Sequence, residues 1–201
     1  MTIRTAPFAP PGDRRNANPT TDRRLIEQSH LLQKALSALT LLHLHPNSKI
    51  SVAVTVLAND GGRLEAAINA ATLALIDAGI PLKDTVCACA AGRWDATGDD
   101  GIVVDLNRRE IQNATGGGTG GGSTSDAVYL PVAAMPQRGT VVLAQCESRL
   151  AGGPDAFGEV LDAAMGGCRM VMEVMAAAVR ERGAGLQRAR EGKARILLDD
   201  G

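Results

Sequence analysis

The segment from Lys49 to Pro81, KISVAVTVLANDGGRLEAAINAATLALIDAGIP, changes its hydrophobic period midway. Ile50, Val52, Val54 and Val56 alternate with other residues, so a strand over 49–58 turns all four to one face. Asn59-Asp60-Gly61-Gly62 interrupts the run as a turn. From Arg63 the spacing becomes helical, and Leu64, Ala67, Ile68, Ala71 and Leu75 make one stripe of a helix over 63–78. Its many alanines let it lie close against a sheet. Gly79 suits the position just past the last turn, and Pro81 follows it. This strand-turn-helix unit demands a layered arrangement of helices on a sheet.

The rest of the chain supplies the other layers. Residues 2–8 read as a short strand and 9–21 as a proline-containing loop. Asp22 is a plausible N-cap for a helix to about Leu44, with Leu25, Leu32, Leu36, Leu39 and Leu42 or His43 at helical spacing. His45-Pro46-Asn47-Ser48 ends it, because a proline disfavours helical geometry in the residue before it. Strands are predicted over 84–92, 102–106, 126–135 and 139–147. ATGGGTGGGSTS, residues 114–125, reads as an inserted flexible loop. A last helix over 154–182 carries the stripe Val160, Ala164, Cys168, Val171 and Met175, and a charged tail from Gly183 is expected to fray. The order is strand, helix, strand, helix, four strands, helix. That is the pattern of a single α+β domain with a mixed sheet across 1–201.

Charge narrows the function classes. The 21 Lys and Arg against 22 Asp and Glu give a net charge of -1, which argues against a strongly basic nucleic-acid-binding domain but not against a local basic patch. No run is long and apolar enough for a membrane partner, and MTIRTAPFAPPGDRR lacks an apolar signal core. Cys87, Cys89, Cys146 and Cys168 form no C-x-x-C pair, and His43 and His45 have no third ligand nearby. Neither a zinc site nor any other cofactor is expected, and a reducing intracellular compartment is the default. Two Phe, one Trp and one Tyr are too few for a base-stacking module.

Several clusters still carry possible chemistry. Asp60-Gly61-Gly62 with Arg63 at a helix start is able to cradle an anion, although a tight turn explains the glycines equally simply. The glycine run lacks the phosphate-loop pattern. Cys87 and Cys89 share one strand face and read as small buried residues rather than a redox pair. Arg14, Arg15, Arg23 and Arg24 gather in and beside a loop at the start of the first helix. Cations there oppose the helix dipole, which is tolerable if an anion is normally bound. The carboxylates nearest strand ends are Asp105, Glu110 and Asp126, and no tight dyad or Ser/His/Asp set is visible.

VLANDGG (56–62), INAATLALIDAGIPLKD (68–84), VCACAAG (86–92), VVDLN (103–107), LPVAAMP (130–136) and CESRL (146–150) occur in an order that resembles the ribonuclease PH family, in its eukaryotic exosome-ring branch. DRRLIEQSHLLQKAL (22–36) and HLHPNSKI (43–50) extend the likeness over most of the chain. The resemblance implies a fold related to the second domain of ribosomal protein S5. It also implies further N-terminal strands, so that TIRTAPF is expected to be the remnant of a truncated opening. Catalytic members degrade RNA by phosphorolysis with two aspartates and a phosphate-binding arginine. Alignment on the shared motifs puts Ile111, Tyr129 and Leu64 at those positions. The implied function is a non-catalytic, RNA-guiding ring subunit. Arg23 and Arg24 match the paired arginines that contact RNA phosphates in relatives, and Arg14 and Arg15 match less specifically. The implied partners are other ribonuclease PH-like subunits in a six-membered ring, cap subunits, an associated nuclease and single-stranded RNA, in nucleus, nucleolus and cytoplasm. Two other readings are an active phosphate-dependent exoribonuclease using Asp105, Glu110 or Asp126, and a non-functional truncated product.

Overall fold

Stretches of period two become strands and stretches of period 3.6 become helices in the computed structural model, which describes residues 1–9, 22–94, 101–114, 128–146 and 153–199. β1 (Thr2–Thr5) and β2 (Ala53–Val56) form a parallel pair, Ile3 opposite Val54. β3 (Cys87–Trp94), β4 (Gly101–Val104), β5 (Val128–Met135) and β6 (Thr140–Ala144) form an antiparallel sheet in the order β4-β3-β5-β6. The helices are α1 (Arg23–Leu39), α2 (Arg63–Asp77), α3 (Arg108–Ala114) and α4 (Gly153–Asp199).

Alternation along β3 and β5 sorts the core into two layers. Cys87, Cys89 and Ala91 of β3 and Val128, Leu130, Val132 and Ala134 of β5 turn to α4, where Val160, Ala164, Cys168 and Met175 meet them. Ala88, Ala133 and Met135 turn the other way, onto α1 and α2 through Leu32, Leu36, Ile68 and Ala71. The four-stranded sheet therefore lies between α4 on one face and α1 with α2 on the other, an α+β arrangement. All five residues of the predicted α2 stripe are buried, and Ile50, Val52, Val54 and Val56 pack against the same cluster. Gly79, just past α2, has φ +70°, a conformation that glycine adopts without a Cβ clash.

The structure departs from the sequence expectation most in three places. α1 stops at Leu39 rather than near Leu44. Thr40 is extended, and its backbone N–H and its Oγ1 both donate to the Leu36 carbonyl. Leu41 N and Lys83 N then donate to Pro81 O and Leu39 O, so pairing with the Pro81–Lys83 segment draws the chain out of the helix. A short 3-10 turn, Leu42–Leu44, follows. Secondly, α3 stands where no element was expected. Asn107 Oδ1 accepts from Arg109 N and Glu110 N while Glu110 Oε2 accepts from Asn107 N, a reciprocal capping box. Thirdly, α4 runs on to Asp199, through the stretch from Gly183 expected to fray. The predicted strand over 49–58 shortens to Ala53–Val56, and the one over 84–92 shifts to Cys87–Trp94. The glycine-rich segment 115–125 lies outside the described residues.

Candidate functional site

A cleft of about 500 Å³ opens where α1, α2, α3 and β5 converge. Helical spacing places Arg24, Glu27, Gln28 and Leu31 of α1 along one wall. The first turn of α2 adds Arg63, Leu64 and Glu65. Tyr129 and Pro131, two apart on β5 and so on the same face, supply the opposite side, with Ile111 of α3 and Gln145 at the rim.

The geometry begins with the turn before α2. Asn59 Oδ1 accepts from Gly61 N, and Asp60 O accepts from Arg108 N. A Cβ on Gly61, where φ is +116°, would lie 2.6 Å from Leu106 O. Close packing of the turn on the Leu106–Arg108 segment thus requires glycine there. Gly62, in the left-handed region, then launches α2. Glu65 sits in the first turn, where the helix dipole favours a negative charge. It is only 6% exposed, and its Oε1 accepts a hydrogen bond from Tyr129 Oη at 3.0 Å. A Cβ on Gly62 would lie 3.8 Å from both Glu65 Oε2 and Asp105 Oδ1, so two carboxylates flank this turn. Both also raise the Cys89 thiol pKa, after burial, which contributes most. At the rim, Gln145 Nε2 donates to Glu27 Oε1 at 3.5 Å.

The residues predicted from sequence are only partly brought together. Arg24 lines the cleft, whereas Arg23, one helical step away, is exposed and does not. Asp22 caps α1 as expected, accepting from Arg24 N at 3.0 Å. Arg14, Arg15 and Asp126 lie outside the described residues. Leu64, Ile111 and Tyr129, far apart in sequence, do converge on this cleft. Leu64 is buried in the core, and Ile111 packs with Leu106, Val103 and Tyr129. Glu110 is engaged in the α3 cap, and Asp105 is exposed with φ +61°. Sequence reasoning placed neither Glu65 nor Glu27 in the site. Their formal charges balance Arg24 and Arg63, and the i, i+3, i+4 spacing of Arg24, Glu27 and Gln28 was the available signal.

Buried Cys87 and Cys168 have their thiols pushed up, to about 11 and about 12, chiefly by burial, with Asp84 adding to the first and the neighbouring cysteines to the second. The strand-face pair Cys87 and Cys89 is buried as expected. Among the described residues no group of three or more His, Cys, Asp or Glu is arranged to hold a metal, and no helix is long and apolar enough to cross a membrane.

Residues 1–81 match the model of the 3′ exoribonuclease family, domain 1. The chain is 37% identical over 186 residues to the human exosome complex component RRP41, covering 92% of this chain and 65% of that protein. It is 37% identical over 164 residues to exosome complex component Rrp41 of Thermococcus kodakarensis, covering 82% of this chain and 59% of that protein. The chain thus spans about three fifths of the length of these relatives. The crystal structure of rice Rrp46 superposes with a TM-score of 0.65 at 20% identity, covering 88% of this chain and 72% of that one, a likeness of fold.

Proposed function

We propose, from the premise that this chain carries a ribonuclease PH domain, that it serves as a structural, RNA-guiding subunit of an exosome ring and performs no phosphorolysis itself. The observation that carries this reading is the make-up of the cleft. Leu64, Ile111 and Tyr129 converge where the resemblance calls for a phosphate-binding arginine and two aspartates. Phosphorolysis needs a cationic clamp on orthophosphate and groups positioned for the charge that develops on the transferring phosphoryl. Leu64 and Ile111 provide neither, the Tyr129 hydroxyl is already engaged by Glu65, and the two arginines of the cleft, Arg24 and Arg63, share it with the carboxylates of Glu27 and Glu65.

RNA would be held at the mouth of the cleft by its backbone. Arg24 is exposed there, with Arg23 on the adjoining surface of the same turn. Arg14 and Arg15 complete the proposed set of phosphate-binding residues. Guanidinium groups match phosphate with a fork that lysine lacks. On this reading the whole chain is one domain whose partners are other ribonuclease PH-like subunits in a six-membered ring, cap subunits and a separate nuclease. It would act in the nucleus, nucleolus and cytoplasm.

The test is reconstitution with a ribonuclease PH-like partner subunit, followed by incubation with single-stranded RNA and orthophosphate. No release of nucleoside diphosphates is expected. Phosphate-dependent shortening that disappears on Asp105→Asn would overturn the reading in favour of an active enzyme, since Asp105 lies beside the same turn as Glu65.

A further inference from the structure

α4 outruns the sheet that buries it. Its core stripe reaches Met175, and every residue from Ala176 to Glu191 keeps at least part of its surface in solvent. An unpacked helix of that length is marginal in water, because most helical stability in proteins comes from packing an amphipathic face. The stripe nonetheless continues in phase, with Val179, Arg182, Leu186 and Arg190 at spacings of three and four. Val179 and Leu186 face Leu73 and Ile76 of α2 across an apolar groove of about 380 Å³. Leu186 remains 49% exposed. One edge of the groove is closed by Arg182 Nε against Asp77 Oδ1 at 3.2 Å.

We propose that this groove, between the C-terminal half of α2 and the overhanging part of α4, docks an acidic amphipathic helix of a partner protein. The apolar lining fits the buried face of a helix laid into a groove. The charge around it fits acidic flanks. Residues 180–191 hold four arginines (180, 182, 188, 190) against two glutamates (181, 191), and with Asp77 paired to Arg182 the positive charge left for a partner lies chiefly on Arg188 and Arg190, past the paired edge. A second copy docked groove to groove would bring the same arginines against each other. RNA would gain nothing from a lining of leucine, isoleucine and valine. Glu65 and Leu73 are about two turns apart along α2, so this site is separate from the cleft and does not rest on the RNA reading.

The experiment uses the full chain and two labelled synthetic helical peptides of about four turns. Both carry leucines at i, i+3, i+4 and i+7; one has glutamates on its flanks and the other lysines. Fluorescence anisotropy should show saturable binding of the glutamate peptide, at least about tenfold tighter than the lysine peptide and weakening with salt. Leu186→Glu and, separately, the pair Arg188→Glu with Arg190→Glu should each weaken it by about tenfold or more, with the helical circular dichroism unchanged. Three results would overturn the proposal: no saturable binding, equal binding of both peptides, or displacement of the glutamate peptide by oligouridylate. A dimer in sedimentation velocity that Leu186→Glu dissolves would also overturn it, assigning the groove to a second copy.

Discussion

Tyr129 of β5 donates its hydroxyl hydrogen to Glu65 Oε1 in the first turn of α2, across 3.0 Å. The bond ties the floor of the cleft to the helix that follows the glycine turn. It also accounts for a carboxylate only 6% exposed, since a buried charge is tolerable when a donor and a helix N-terminus stand against it. The position that the resemblance assigns to a catalytic aspartate thus holds the donor, and the carboxylate comes from the helix instead.

Removing that donor should be felt in stability. Tyr129→Phe keeps the ring packing on Ile111 and Leu106 and takes away only the hydroxyl. The expected cost is about 1–3 kcal/mol, the penalty of depriving a buried charged acceptor of one partner. A urea midpoint unchanged from the parent would show that the bond contributes nothing to folding.

Two adjacent glycines in α4 should behave oppositely. A Cβ on Gly167 would lie 2.6 Å from Cys89 Sγ and 2.8 Å from Val104 Cγ1, so Gly167→Ala should destabilise by about 1–3 kcal/mol through overpacking. A Cβ on Gly166 meets nothing within 4 Å, so Gly166→Ala should stabilise by up to about 1 kcal/mol through helix propensity. Thermal melts of the two variants check the contrast, and a shift of the same sign in both would contradict it.

The cysteines make stability fall in alkali. Cys87 is raised from its ordinary 9.0 to about 11, and Cys168 to about 12, so between those values and 9 the folded chain keeps protons that the unfolded chain has released. Their contribution is therefore fully present below pH 9 and is lost as the pH rises through the folded values. Denaturant midpoints should decline from pH 9 upward, and less steeply in Cys168→Ala. At neutral pH, iodoacetamide should modify exposed Cys146 in the native protein and all four thiols only after unfolding.

How much of this was legible in the sequence depends on how local each determinant is. The α2 stripe and the Asp22 cap are set within one turn and appear as read, while the alternation through Ile50, Val52, Val54 and Val56 keeps its face although the strand itself shortens to Ala53–Val56. The end of α1 is not local, because Thr40 leaves the helix to pair with Leu82. α3 was legible through Asn107-x-x-Glu110, a capping signature in which Glu110 serves the backbone rather than acid chemistry. In the cleft, Leu64, Ile111 and Tyr129 were identified only by resemblance, and the structure brings them together. Glu65 escaped because its burial depends on a strand more than sixty residues away, as its bond to Tyr129 shows.

The last prediction concerns Arg24 and its neighbours in the ring proposed for this chain. The chain carries a net charge of -1, so long-range attraction for RNA cannot come from its overall charge. Inside the cleft Arg24 and Arg63 are balanced by Glu27 and Glu65, so on the proposed reading attraction acts where the arginines are most exposed, at the start of α1. Arg23→Ala with Arg24→Ala should weaken binding about equally for different RNA sequences, because phosphate contacts read no bases. The double variant should also flatten the dependence of log affinity on log salt by about 0.7 for each phosphate it no longer neutralises. Glu27→Gln should act in the opposite direction, since it removes a negative charge from the same face as Arg24 while leaving an amide near Gln145. Salt titrations of the reconstituted ring with oligouridylate and a mixed-sequence oligomer separate these effects. If the double variant kept both the affinity and the slope of the parent, the arginines would be solvated surface residues and RNA would have to be guided elsewhere on the ring.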